Sequence, residues 1–151
     1  MRLLALFVFL SAILLGGCEN MPDSVRERFS HVEPKVRQFD GDLRTVFTAA
    51  QLAFKRLDFV LTDSSGAPSR LEASSRIVTS ETLGDSRQLV ANLKFHQRDG
   101  GKTEVEMLLS LQVQAGSLGG ASAQNQREHG FYESFFATVQ QVLQERAGDS
   151  R

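Results

Sequence analysis

Cys18 is the one thiol in a chain of 151 residues. It stands behind the apolar run from Leu3 to Leu15, with only Gly16 and Gly17 between. A disulfide within the chain is excluded by count, and so is a structural zinc site of the cysteine type. The three histidines, His31, His96 and His129, show no His-x-x-x-His spacing. Metal binding would need distant elements to converge, and an exposed histidine is the expectation at each. Glu104 and Glu106 share one face of a strand pattern and could form a carboxylate pair. Acid–base work needs a desolvated cleft that nothing in the pattern predicts, so a solvated strand face opposite Lys94 and His96 is preferred. The serines include no Gly-x-Ser-x-Gly, and Gly116-x-x-Gly119-Gly120 does not match a phosphate-cradling loop. The densest polar constellation is Arg127-Glu128-His129 next to Tyr132. Arg127, His129 and Tyr132 form a candidate contact patch, weighed against the preferred reading of a capped, solvated helix start. No catalytic, cofactor-binding or metal-binding residue emerges.

The residues around Cys18 carry more. Met1-Arg2 supplies a short positive segment, and Leu3 to Leu15 is apolar apart from Ser11. Thirteen residues span about 20 Å as a helix, short of the ~30 Å hydrocarbon core of a bilayer. A cleaved signal segment fits better than a permanent span. Leu15-Gly16-Gly17-Cys18 resembles the lipobox of bacterial lipoproteins, which are cut before a cysteine that carries lipid. The resemblance implies cleavage after Gly17 and a diacylglyceryl thioether with a further acyl chain on Cys18. Two or three acyl chains hold firmly where one is marginal. Glu19 is not the Asp that favours inner-membrane retention in the enterobacterial pattern, which tilts the expectation toward the outer membrane, facing the periplasm.

Loss of residues 1–17 leaves 134 residues, enough for one domain with a real core. It removes only Arg2 among the charged side chains, leaving 16 basic against 18 acidic. That balance offers no electrostatic footprint for nucleic acid or for an anionic membrane surface.

Residues 18–35 read as the lipidated cysteine and a flexible polar tether with Pro22 and Pro34. Residues 36–147 read as a single domain, and 148–151 as a disordered tail. Val36 to Phe39 suits a short strand, and Asp40-Gly41-Asp42 follows, where an Asx residue is well suited to cap a helix. Leu43, Val46, Phe47, Ala50, Ala53, Phe54 and Leu57 recur at helical spacing, predicting an amphipathic helix. Phe59 to Thr62 follows as a strand. Residues 70–80 suit a longer one, with a bulge where Ile77 and Val78 break the alternation. Leu89, Ala91, Leu93 and Phe95 alternate cleanly, as do Val105, Met107, Leu109, Leu111 and Val113. A hairpin through Arg98-Asp99-Gly100 would pair Leu93 with Val105 and Lys94 with Glu104. Residues 115–130 read as a long flexible loop. A final helix from Phe131 to Arg146 presents Phe131, Phe135, Val139, Val142 and Leu143.

The expected fold is therefore α+β in the order (β)αββββα. It is a two-layer sandwich with an antiparallel sheet of four to five strands and both helices on one face. Residues 36–146 resemble a group of small, mostly uncharacterised bacterial envelope lipoproteins. The stretches concerned are Phe39-Asp40-Gly41-Asp42-Leu43-Arg44-Thr45-Val46-Phe47, Leu57-Asp58-Phe59 and His129-Gly130-Phe131-Tyr132-Glu133-Ser134-Phe135-Phe136. More distantly the order is similar to helix-grip domains of outer-membrane assembly lipoproteins. These likenesses imply fold and compartment and supply no catalytic residues.

The functional expectation is a nonenzymatic, lipid-anchored envelope protein that contacts another envelope protein or the cell wall. Its membrane partner is reached through lipid on Cys18, with no nucleic acid and no cofactor. The alternative is a module holding a lipid or small apolar molecule between sheet and helices, lined by Phe47, Phe54, Phe95 and Phe135. A hydrolase assembled from separate elements ranks last.

Overall fold

The computed structural model describes residues 33–63, 68–79, 85–114 and 121–149. The chain divides into two compact units, Met1–His31 and Val32–Arg151, and all described residues belong to the second. Cys18, His31, Glu19 and the tether as far as residue 32 lie outside them.

Among the described residues nine elements follow in order: β1 (Lys35–Asp40), α1 (Leu43–Arg56), β2 (Val60–Asp63), β3 (Arg70–Ser74), β4 (Val78–Thr79), β5 (Ser86–Arg98), β6 (Lys102–Gln114), β7 (Ala121–Asn125) and α2 (Phe131–Asp149). The class is α+β, with one antiparallel sheet and two helices. Strands run β1-β6-β5-β3-β2 across the sheet, while β4 pairs with β5 and β7 with β6. The sheet has seven strands where four to five were expected. Two physical causes account for the difference. The predicted long strand over 70–80 is divided at Ser75–Ile77, where the Ser75 hydroxyl accepts from the Leu89 N–H at 3.0 Å and replaces a ladder bond. The predicted loop over 115–130 contains β7, which takes the stretch of β6 edge that β1 does not reach.

The α1 boundaries have local causes. The Asp42 carboxylate accepts from the Thr45 N–H at 2.7 Å, satisfying one of the unpaired donors of the first turn. This bond holds the Asp42 carboxyl below its ordinary range. At the other end Phe59 N–H donates to the Phe54 carbonyl (2.9 Å) and Asp58 N–H to that of Lys55 (3.3 Å). This is a Schellman cap with Asp58 at φ 60°, where glycine is usual. Its apolar clasp is Phe59 on Phe54, ring centroids 5.7 Å apart.

The β5–β6 hairpin keeps the predicted faces but not the predicted partners. Leu93 pairs with Met107 and Lys94 with Glu106, two residues beyond the expected register. The turn is Asp99-Gly100-Gly101, closed by Arg98 opposite Lys102, and both glycines take positive φ (75° and 71°). A shift of two preserves the alternation, so the apolar residues stay inward.

Leu71, Ala73, Ala91, Leu93, Phe95, Val105, Met107 and Leu109 line the inner sheet face and form one core with both helices. The helices contribute Val46, Ala49, Ala50, Ala53 and Phe54 from α1, and Tyr132, Phe135, Phe136, Val139 and Val142 from α2. Each fully buried large side chain contributes about 1.5–3 kcal/mol. Helix α2 runs on to Asp149, so residues 148 and 149 are helical rather than part of a disordered tail. Strand β1 begins at Lys35, inside the expected tether. Val90 is buried apart from that core, in register between Ser74 and Ser110 on the outer face.

Candidate functional site

Two polar groupings merit chemical scrutiny, one on the outer sheet face and one where the chain turns into α2. On the outer face, strand pairing brings Lys94 opposite Glu106 and His96 opposite Glu104. Glu104 is held from two sides. Arg98 Nη2 donates to Oε1 at 2.6 Å, and Gln38 Nε2 donates to Oε2 at 3.4 Å. The Arg98 guanidinium foremost, then Gln38, holds the Glu104 carboxyl below its usual range, and Glu104 raises Arg98 in return. A carboxylate so stabilised stays ionised, with no proton to give, and is a weak base, which disfavours acid–base work by Glu104. His96 Nε2 lies 3.3 Å from Glu106 Oε1. The pair makes no hydrogen bond, and that nitrogen is buried without a hydrogen-bond partner among the described residues. Among the described residues no group of three or more His, Cys, Asp or Glu side chains is placed to hold a metal.

The second grouping is the predicted patch, and its three residues have separate fates. Arg127 and His129 are exposed. The Phe131 N–H donates to His129 Nδ1 at 3.1 Å, so the imidazole satisfies a free donor of the first turn of α2. Tyr132 is 3% exposed and belongs to the core. It is not available to an exposed patch, because it is buried in the core while Arg127 and His129 face water.

What Tyr132 does is structural and specific. Its hydroxyl accepts from the Leu109 N–H at 2.9 Å and donates to the Gln126 carbonyl at 2.8 Å. The Gln126 N–H in turn donates to the Leu109 carbonyl at 2.8 Å. Strand β1 covers the β6 edge as far as Met107, and β7 covers it from Ser110. Leu109 falls at the gap, and Tyr132 and Gln126 supply the partners that neither strand can. Beside it, Lys35 meets Glu128 at 3.2 Å and Arg37 meets Glu133 at 2.9 Å. The Arg37 guanidinium also lies over the Phe136 ring at 4.9 Å. These contacts tie β1, where the chain enters the domain, to the first turns of α2 and the segment just before it.

The four phenylalanines expected as possible cavity lining pack on aromatic neighbours. Phe54 and Phe135 have centroids 4.5 Å apart, and Phe47 meets Phe95 edge-on at 5.3 Å. Phe59 stacks on Phe131 at 4.4 Å, which extends the cluster toward the end of α1. Compared with known proteins, the chain matches no family model and no curated protein. Among the described residues no helix is long and apolar enough to cross a membrane.

Proposed function

We propose that the chain is a lipid-anchored protein of the bacterial cell envelope, attached through Cys18 and facing the periplasm from the outer membrane. Its α+β domain acts without catalysis, by contacting another envelope protein or the cell wall. The observation that carries this reading is Leu15-Gly16-Gly17-Cys18 behind an apolar run of signal-peptide length. Likeness to small envelope lipoproteins belongs to the same proposal. Support comes also from the outer-face carboxylate, which its partners hold ionised, and from the absorption of Tyr132 into the core. The contact patch then reduces to Arg127 and His129. The packed phenylalanines weigh against a small-molecule site between the layers.

The test is metabolic labelling with a fatty-acid analogue together with membrane fractionation. Wild type is expected to carry label and to pellet with membranes, and Cys18→Ala to lose both. Unchanged labelling and partitioning in Cys18→Ala would sink the proposal.

A further inference from the structure

The long hairpin has two chemically different ends. Each strand has 13 residues, about 43 Å at the usual rise. The turn end presents Asp40, Arg70, Arg98, Asp99 and Lys102, all exposed and charged. The far end presents Ile77 and Val78, 62% and 68% exposed. There the register aligns Val78, Arg87 and Val113 across three strands, so an exposed arginine stands between two valines. Arg76 lies next to Ile77, 3.9 Å from Asp58, and Asp85 precedes β5.

Chain direction connects this end to the tether. Strand β1 runs from Lys35, opposite Met107, to Asp40, opposite Lys102 at the turn. The chain therefore arrives from the far-end side, and β7 already occupies the β6 edge beyond Ser110. It must leave the sheet there. Fourteen residues separate Cys18 from Glu33, a reach of about 50 Å even when fully extended. That reach covers either end of the hairpin, so it is the direction in which β1 is entered, from the far-end side, that distinguishes them.

We propose that the far end of the hairpin, through Ile77, Val78 and the Val78–Arg87–Val113 row, rests on the lipid surface that holds Cys18. This rests on the lipoprotein reading. Valine and isoleucine enter the interfacial region, and Arg87 buries its stem while its guanidinium meets phosphate headgroups. A tethered domain needs only weak surface affinity, because the anchor keeps the local lipid concentration high.

The test uses the full lipidated chain in phosphatidylcholine vesicles. Acylated Cys18 leaves no other thiol, so Val78→Cys and Asp99→Cys each accept one environment-sensitive fluorophore. Brominated acyl chains are the quencher. Co-flotation with vesicles reports the anchor, and quenching reports the docking. Several-fold stronger quenching at position 78 than at 99 is expected, falling to the level of 99 when Ile77→Asp is added while flotation persists. Flotation with equal quenching at both positions overturns the docking and leaves the anchor standing. Loss of flotation overturns the lipoprotein reading, and the docking with it.

Discussion

Tyr132 concentrates several demands in one hydroxyl. It closes the gap on the β6 edge between β1 and β7, giving Leu109 its acceptor and Gln126 its donor. Burial pushes its phenol above the ordinary value, and the Leu109 N–H only partly offsets this. Tyr132→Phe keeps the ring and strands both backbone groups. A loss of about 1–3 kcal/mol is expected, seen as a lower urea midpoint at unchanged slope. Faster amide exchange at Leu109 should accompany it. A midpoint equal to wild type would mean that water replaces the hydroxyl fully. Sequence reasoning singled out Tyr132 beside Arg127 and His129 and favoured a plain helix start. What it lacked was the phase of α2, whose apolar face it drew through Phe131 and Leu143. Both are only half-buried, and Tyr132 and Phe136 occupy the core. An aromatic at every one of positions 131, 132, 135 and 136 leaves the stripe ambiguous by one residue.

At the scale of elements, periodicity decided what was legible. Helix α1 and strands β5 and β6 repeat their patterns long enough for burial to follow, and each formed with the expected face inward. Leu109→Asp should unfold the domain, by placing a carboxylate in a fully buried site, whereas Gln112→Asp on the exposed face should stay within about 0.5 kcal/mol of wild type. Circular dichroism of both variants settles the strand phase, and equal tolerance would refute it. Strand β7 was illegible because Ala121 to Gln124 are exposed, so burial imposes no alternation. The hairpin register escaped because two adjacent glycines offer two places for the left-handed turn, and apolar alternation is blind to a shift of two. The α1–β2 join is a third case. Asp58 sits at φ 60° with a cap that favours glycine. Asp58→Val should lose about 1–2 kcal/mol, while Asp58→Gly should hold or raise the thermal midpoint. A stable valine variant would show that the cap rearranges freely.

For the whole molecule, ionisable groups set the pH range of stability, and their signs differ. Glu104 is held down by Arg98 and Gln38, Glu145 by Arg56 and Gln141, and Asp42 by Thr45. The bidentate Arg56–Glu145 pair, at 2.6 and 3.2 Å, joins the end of α1 to α2, and the Arg98–Glu104 pair spans the hairpin. A carboxyl whose folded pKa is depressed adds stability above its unfolded value, lost as pH falls toward the folded one. The unfolded chain takes up protons first, so stability should decline once pH drops below about 4.5, the ordinary glutamate value. Asp42 and Glu145 are exposed and Glu104 is half-buried, so the decline should be gradual and flatter in high salt. Tyr132 acts at the other limit. Its folded pKa is raised, so the unfolded chain ionises first and stability falls as pH rises past about 10.0. The expected profile is a plateau from about pH 5 to 9.5, bounded by carboxylates on one side and one buried phenol on the other. Urea unfolding at fixed pH between those limits and beyond them measures it. Glu145→Gln should lower the plateau and soften only the acid limb. Tyr132→Phe should lower the plateau and soften only the alkaline limb. Stability independent of pH between 3 and 5 would mean that these ion pairs persist in the unfolded chain, and that the link from α1 to α2 rests on the aromatic cluster alone.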